Sequence, residues 1–497
     1  MEVSFFIIIF LFVLPLLIVL FIKIGQKRLP PGPWKLPLVG NLHQLAGSSL
    51  PHVALKELAE KHGPLMHLKL GERSTIVISS YKMLKEVIKT SDTTFAYRPE
   101  ILVSKTITYN NRDMVFAPYG DYWRQMRKFW MLELLSPKRV HSTYPLMEEE
   151  ISGLVRSIQV SAAGGTPINM NECLNSLTCA IICKASVGMV CNNSDSLIFA
   201  IKGIASLAGI FNILDLFPSL KFLEFIIGSK QKLVKLHQEC DLLLEEIVRE
   251  HEASIERNNG EPIDKEDLLH LLLRLKDKES HNFKIPITRD NIKAILLNMF
   301  AAGTVTSATA LEWAMSEIIK NPSVMKKVQA EVREIFKGRK IVDQRDIQNL
   351  KYLKLVVKET LRLHPPGPLS LPRESIEQCE LNGYIIPKKT IALVNMWAMG
   401  RDHQYWHDPE KFEPERFNNV IEVSIPFEFL GFGFGMRACP GMSFGTATLE
   451  LTLARLLYHF DWKLPNGMNS EELDMTEKFG ANVVKKNNLY LIASPYD

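Results

Sequence analysis

The sequence predicts a mainly α-helical fold with minor β sheets, built as one large domain behind a short apolar segment. Three observations carry that prediction. Apolar residues recur with a helical period over most of residues 81–275, from about 288 to 321, and from 441 to 460. Strand-like runs are short and sit near residues 65–80 and 370–430. No repeat, low-complexity tract or flexible linker divides the body. Hydrophobic residues make up 46% of the 497 and charged residues 23%, a globular composition. The formal charge of +4, with no basic stripe interleaved with aromatics, argues against a nucleic-acid partner.

From the N-terminus, VSFFIIIFLFVLPLLIVLFI (Val3 to Ile22) carries no charge and is long enough to span a bilayer. Lys23, Lys27 and Arg28 follow, which places the remainder on the cytosolic side. The run is too long for a cleaved signal peptide and no small-residue cleavage site follows it. Residues 1–24 are therefore expected to form a single-pass anchor. RLPPGPWKLPLVGN holds Pro30, Pro31, Pro33 and Pro37, which rule out helix, so residues 25–40 are expected to be a stiff extended hinge. Residues 41–497 then form the body. LMHLKL and TIVISS around Gly71 predict a hairpin. An amphipathic helix is expected from Gly228. A second long helix, apolar over much of its girth, is expected from an N-cap at Thr288 to Asn321-Pro322, crossing the core. KYLKLVVKETLRLHPP predicts a helix stopped by Pro365 and Pro366.

Seven cysteines form no C-x-x-C pair, which points to free thiols in a reducing compartment. His403 and His407 have a helical metal-pair spacing but lie in a stretch that reads as loop, so zinc is not expected there. One cysteine has unusual neighbours: FGFGMRACPG, residues 432–441. Pro440 suits a first helical position, so Cys439 is expected at the positive end of a helix, where a thiolate is favoured. Gly433, Gly435 and Gly441 would let backbone approach something flat and bulky, and Arg437 adds a cation. Such a set suits an anionic planar cofactor bound through an axial metal. Gly433 to Ala438 also matches the dinucleotide pattern G-x-G-x-x-[GA], though without a clear preceding strand. A cysteine nucleophile with a histidine base, or an inert buried thiol, also stays open.

The pattern F-x-x-G-x-R-x-C-x-G, spelled by Phe432, Gly435, Arg437, Cys439 and Gly441, resembles the cytochrome P-450 superfamily of haem-thiolate monooxygenases. The resemblance covers nearly the whole chain and is closest to plant microsomal members. It implies that Cys439 ligates the iron of haem b, with Phe432, Arg437 and Gly441 beside it. Trp123 and Arg127 in WRQMRK match W-x-x-x-R and, with Arg373 in LPRES, would reach the haem propionates. Glu359 and Arg362 match E-x-x-R and, with Arg416 in PERF, would form a structural lock. Met436 stands where plant members often carry arginine. The resemblance also implies the endoplasmic-reticulum membrane, a monomer, and NADPH electrons from a separate reductase, since the chain has no flavin or nicotinamide domain. The reductase is expected to dock near Arg124, Lys128 and Lys138.

AAGTVTS (Ala301 to Ser307) departs from the family's [AG]-G-x-[DE]-T-[ST] in one place. Thr306 is kept as the catalytic alcohol, but Val305 replaces the acid and cannot relay protons. An oxygenase using water or another group is expected. Desaturation, oxidative cyclisation or peroxide rearrangement is the alternative, and a haem-binding membrane module without turnover the remote one. The expected substrate is a small apolar plant metabolite, a terpenoid first and an indole or other alkaloid second. By analogy its pocket takes in the loop Ile101–Phe116 and Phe300, Ala302, Val305, Leu369, Leu371 and Gly480.

Overall fold

The computed structural model describes residues 29–47, 49–189, 194–207, 213–223, 228–257, 267–277, 286–338, 344–419 and 427–496. The apolar segment Val3 to Ile22, expected as the anchor, lies outside them, as does Cys191.

The body is helical around one long central helix, Arg289–Lys320. Its start is fixed as the sequence indicates. The Thr288 hydroxyl accepts the Asn291 N–H, and the Asn291 side chain accepts the Thr288 N–H at 2.9 Å. Its end falls at Asn321, where Pro322 opens the next helix, Pro322–Phe336. The central helix is long and apolar enough to cross a membrane, yet it is buried within the protein and is a core helix. Among the helices packed against it are Met170–Val187, Lys351–Leu363 and Met442–His459. The approach of the first is close. A Cβ on Gly303 would sit 2.4 Å from Ile182 Cδ1, so this glycine admits the neighbouring helix.

The hairpin forms as Leu65–Leu70 and Arg73–Ile78, paired antiparallel from Leu65 opposite Ile78 to Leu70 opposite Arg73. Ile391–Val394 adds parallel to the second strand, and Arg373–Glu374 adds antiparallel to that, giving a four-stranded sheet. The proline-rich segment is extended but not free-standing. The His67 N–H donates to Pro31 O at 2.8 Å, the Asn41 N–H to Lys69 O at 2.6 Å, and the Asn41 amide to Trp34 O at 2.9 Å. The segment closes a turn on itself, Leu36 and Gly40 exchanging backbone hydrogen bonds at 3.0 Å, and finds its remaining partners on the sheet edge.

Candidate active site

The cysteine loop is a hook. Short 3-10 turns cover Phe427–Phe432 and Gly435–Arg437, and Gly433 (φ +80°) and Gly435 (φ +58°) take left-handed backbone between them. The Cys439 N–H donates to Phe432 O at 2.8 Å, which closes the hook. The following helix starts at Met442 with Gly441 as its N-cap, so Pro440 precedes it and is not its first residue. The sulfur therefore sits before the N-cap and receives the Gly441 N–H directly. Burial pushes the thiol pKa up, against the pull of that N–H and of Arg127. The helix end alone does not make the expected thiolate; a coordinated metal would, because it deprotonates a thiol outright. Cys439 is nonetheless exposed. Its open surface faces a space inside the protein.

The central helix is also open over one short stretch. Between Asn291 and Ile319 every residue is buried except Ala301, Ala302, Gly303, Thr306 and Ser307. A helix sealed on both sides and open over one turn borders an internal cavity. Ala302 is the most open of the five, and the Thr306 hydroxyl donates to Ala302 O at 2.5 Å. Val305, 8% exposed, is turned into the core.

Four arginines gather near the cysteine. Arg437 donates to the carbonyls of Ala96 (2.8 Å), Met114 (3.1 Å) and Ala117 (2.6 Å) and lies 4.4 Å over the Trp123 ring. The Trp123 indole N–H is itself given to Met114 O at 3.1 Å, so this tryptophan presents its ring face to Arg437. Arg373 reaches Asp92 at 2.9 Å and Phe434 O at 2.6 Å. Arg98 donates to Val115, Leu371 and Pro372 carbonyls. The Arg127 side chain has no hydrogen-bond partner among the described residues, and its electrostatic neighbour is Cys439. Burial, then the like charge of Arg373, brings the Arg437 pKa down to about 9. Burial, then the like charges of Arg437 and Arg373, also lowers that of Arg98. Nearby acids, Asp92 and Asp113, do not balance this charge. A buried excess of guanidinium is stable only with an anion, and two carboxylates of a porphyrin fit it. Arg98 was not singled out in the sequence; a lone arginine before a proline carries no signal, and only the fold brings it beside Arg437.

Glu359, fully buried, accepts from Arg362 through both oxygens (2.7 and 2.8 Å), from Arg416 Nε (2.9 Å) and from the Glu413 N–H (2.8 Å). Arg362 also donates to the carbonyls of Gly400, Pro409 and Lys411, and Arg416 to those of His407 and Lys411. The triad ties the helix Lys351–Leu363 to the loop before the cysteine segment.

The pocket residues separate. Ala302 and Leu371 are exposed and Gly480 is half-buried. Phe300 and Leu369, at 0% and 1% exposure, fill hydrophobic cores instead. Large apolar side chains at those positions are consumed by packing the central helix and the sheet.

A thiol opening onto an enclosed space, an arginine-rich rim and a helix bared over one turn define a haem-thiolate protein. The cytochrome P450 family model matches residues 30–492, and the chain belongs to that family. It is 49% identical to premnaspirodiene oxygenase of Hyoscyamus muticus, covering 95% of this chain and 93% of that one. It is 48% identical to 5-epiaristolochene 1,3-dihydroxylase of Nicotiana tabacum, covering 95% and 94%. A solved zebra fish cytochrome P450 with progesterone superposes with TM-score 0.76 at 25% identity, over 90% of this chain and all of that one. The chain is thus an oxidoreductase of the monooxygenase class with haem as its cofactor, and the family draws electrons from NADPH through a reductase.

Proposed function

We propose that the chain inserts oxygen into a small apolar terpenoid, with Cys439 as the residue that would ligate the iron of haem b. The observation that carries this reading is the pairing of two open surfaces, Cys439 and the turn Ala301–Ser307, within otherwise buried structure. Bound haem supplies the activation of dioxygen. The protein's residues do the rest. Arg98, Arg127, Arg373 and Arg437 would supply the positive charge that offsets the propionates, with Arg437 steadied on the Trp123 ring. The Phe432 carbonyl and the Gly441 N–H fix the sulfur. Ala302 leaves room for substrate, and Leu371 offers apolar contact. Thr306 keeps its hydroxyl at the open face, holding its proton on Ala302 O until a better acceptor arrives. Val305, buried, takes no part in proton handling.

The substrate class rests on relatives named for oxidation of two alkenes. The reading includes a reductase partner, a membrane anchor at Val3 to Ile22 and an endoplasmic-reticulum location. Its test is turnover in membranes with a plant reductase, NADPH and isotope-labelled dioxygen against a panel of terpene hydrocarbons. One heavy oxygen gained per product supports it. Two hydrogens lost without label would replace insertion by desaturation or ring closure, and an isomer formed without NADPH would replace it by rearrangement.

A further inference from the structure

The cysteine hook is gripped from outside by a residue that lies far from it in sequence. Asp92 ends the helix Tyr81–Ser91, and its side chain is 13% exposed. Its Oδ2 accepts the Met436 N–H at 2.7 Å, and its Oδ1 accepts Arg373 Nη1 at 2.9 Å. Arg373 then reaches the same hook with its other arm. Nη2 donates to Phe434 O at 2.6 Å, and the guanidinium lies 4.0 Å over the Phe434 ring. Gly435 is trapped between these contacts. A Cβ there would stand 2.5 Å from both Asp92 oxygens. One buried ion pair therefore holds a backbone N–H at 436 and a backbone carbonyl at 434. The Ala438 N–H returns to Gly435 O at 3.0 Å, which carries the constraint to the residue before the cysteine.

We propose that Asp92 is a positioning residue for the thiolate ligand, acting as a clasp on the Phe434–Met436 backbone together with Arg373. This rests on Cys439 being the ligand. The chemistry is that of charge-assisted hydrogen bonds, which are shorter and stronger than neutral ones and geometrically specific. Two of them meet at one carboxylate, so the loop cannot shift without breaking both or moving the pair as a unit. Arg373 spends both terminal nitrogens on this grip. Its service to the haem is in large part indirect, through the loop.

The test uses the haem-loaded wild type, Asp92→Asn, Asp92→Ala and, as a surface control, Glu100→Gln. Three quantities are read: hydrogen exchange at the Met436 amide, the share of the ferrous carbon monoxide complex at the thiolate band rather than the thiol band, and the melting temperature. In Asp92→Ala the Met436 amide exchanges roughly tenfold faster or more, as expected for loss of a hydrogen bond to a charged group. The thiolate band gives way to the thiol band in the same variant. Asp92→Asn keeps an oxygen for Met436 but loses the charge that holds Arg373, and falls between. A variant that melts earlier yet keeps wild-type exchange and an undiminished thiolate band would overturn the proposal, because that is what a merely structural residue gives. Should Asp92→Ala not fold, Asp92→Asn decides by the same two readouts. A wild type without a thiolate band would contradict the ligand assignment instead, and Met436 exchange would still decide the clasp.

Discussion

Glu359 has both oxygens committed inside the protein, and its partners Arg362 and Arg416 are saturated by carbonyls. Glu359→Gln would leave the buried Arg362 guanidinium without its counter-charge and Arg416 with Glu413 alone. The expected loss is about 3–5 kcal/mol of stability, read by denaturant unfolding of the haem-loaded protein. Asp113 gives a second prediction at this scale. It is fully buried, and burial pushes its pKa from 3.8 up to about 6, against hydrogen bonds from Asn298 and Phe116 and the charge of Arg437. Arg98 and Tyr122 also sense its charge. A raised folded-state pKa means that the native state holds the proton longer than the unfolded one. This group's contribution is therefore present below pH ~4 and is lost as pH rises through about 6. Relative to Asp113→Asn, the wild type should lose roughly 2–3 kcal/mol between pH 4 and 7; parallel pH profiles for the two would contradict this. Residues with a chemically unusual local pattern were legible in sequence: Cys439 among glycines, Glu359 three before Arg362, Thr306 in a run of small residues. Asp92 was not, because it meets Met436 across 344 residues, and nothing local to SDTTFAYRP announces that meeting.

At the scale of elements, the central helix was readable to the residue at both ends, because Thr288, Asn291 and Pro322 are local signals that need no tertiary context. The cysteine helix was misplaced by two residues, because Pro440 satisfies the rule for a first helical position without being one. Proline preference is a tendency, and here the hook from Phe432 to Gly441 delays the helix. A glycine inside a helix costs stability, and the purpose of Gly303 shows only once the helix lying against it is known. Gly303→Ala would gain about 1 kcal/mol of helix propensity. It would also force a Cβ against Ile182, and overpacking of this kind typically costs about 1–3 kcal/mol. A net loss of stability is expected in thermal melts. Adding Ile182→Val, which removes the nearest carbon, should restore much of it; additive losses in the double variant would show that the two residues do not compete for space.

For the whole molecule, the helix Asp121–Phe129 links the buried site to the surface. Its inner residues Trp123 and Arg127 face Arg437 and Cys439, and its outer residues Arg124 and Lys128 are exposed. Arg124 is engaged by Asp121 at 2.6 Å, so of the three cations expected at a reductase-docking face the exposed Lys128 and Lys138 are the two to test. Reversing both to glutamate should raise the reductase concentration needed for half-maximal turnover roughly tenfold at low salt, and less at high salt. An unchanged requirement would move the docking face elsewhere. The fold class followed from periodicity, and the order of motifs along the chain followed from family resemblance. Three members of the arginine cluster, Arg127, Arg373 and Arg437, followed from that resemblance as well; Arg98 did not, since only the fold brings it beside Arg437. The account as a whole depends on one sulfur. The direct measurement is the spectrum of the ferrous carbon monoxide complex of the wild type, Cys439→Ser, and a Cys179→Ser/Cys183→Ser control. The account predicts the thiolate band in wild type and control, and its loss in Cys439→Ser. A thiolate band that survives in Cys439→Ser, or is absent from the wild type, would contradict it.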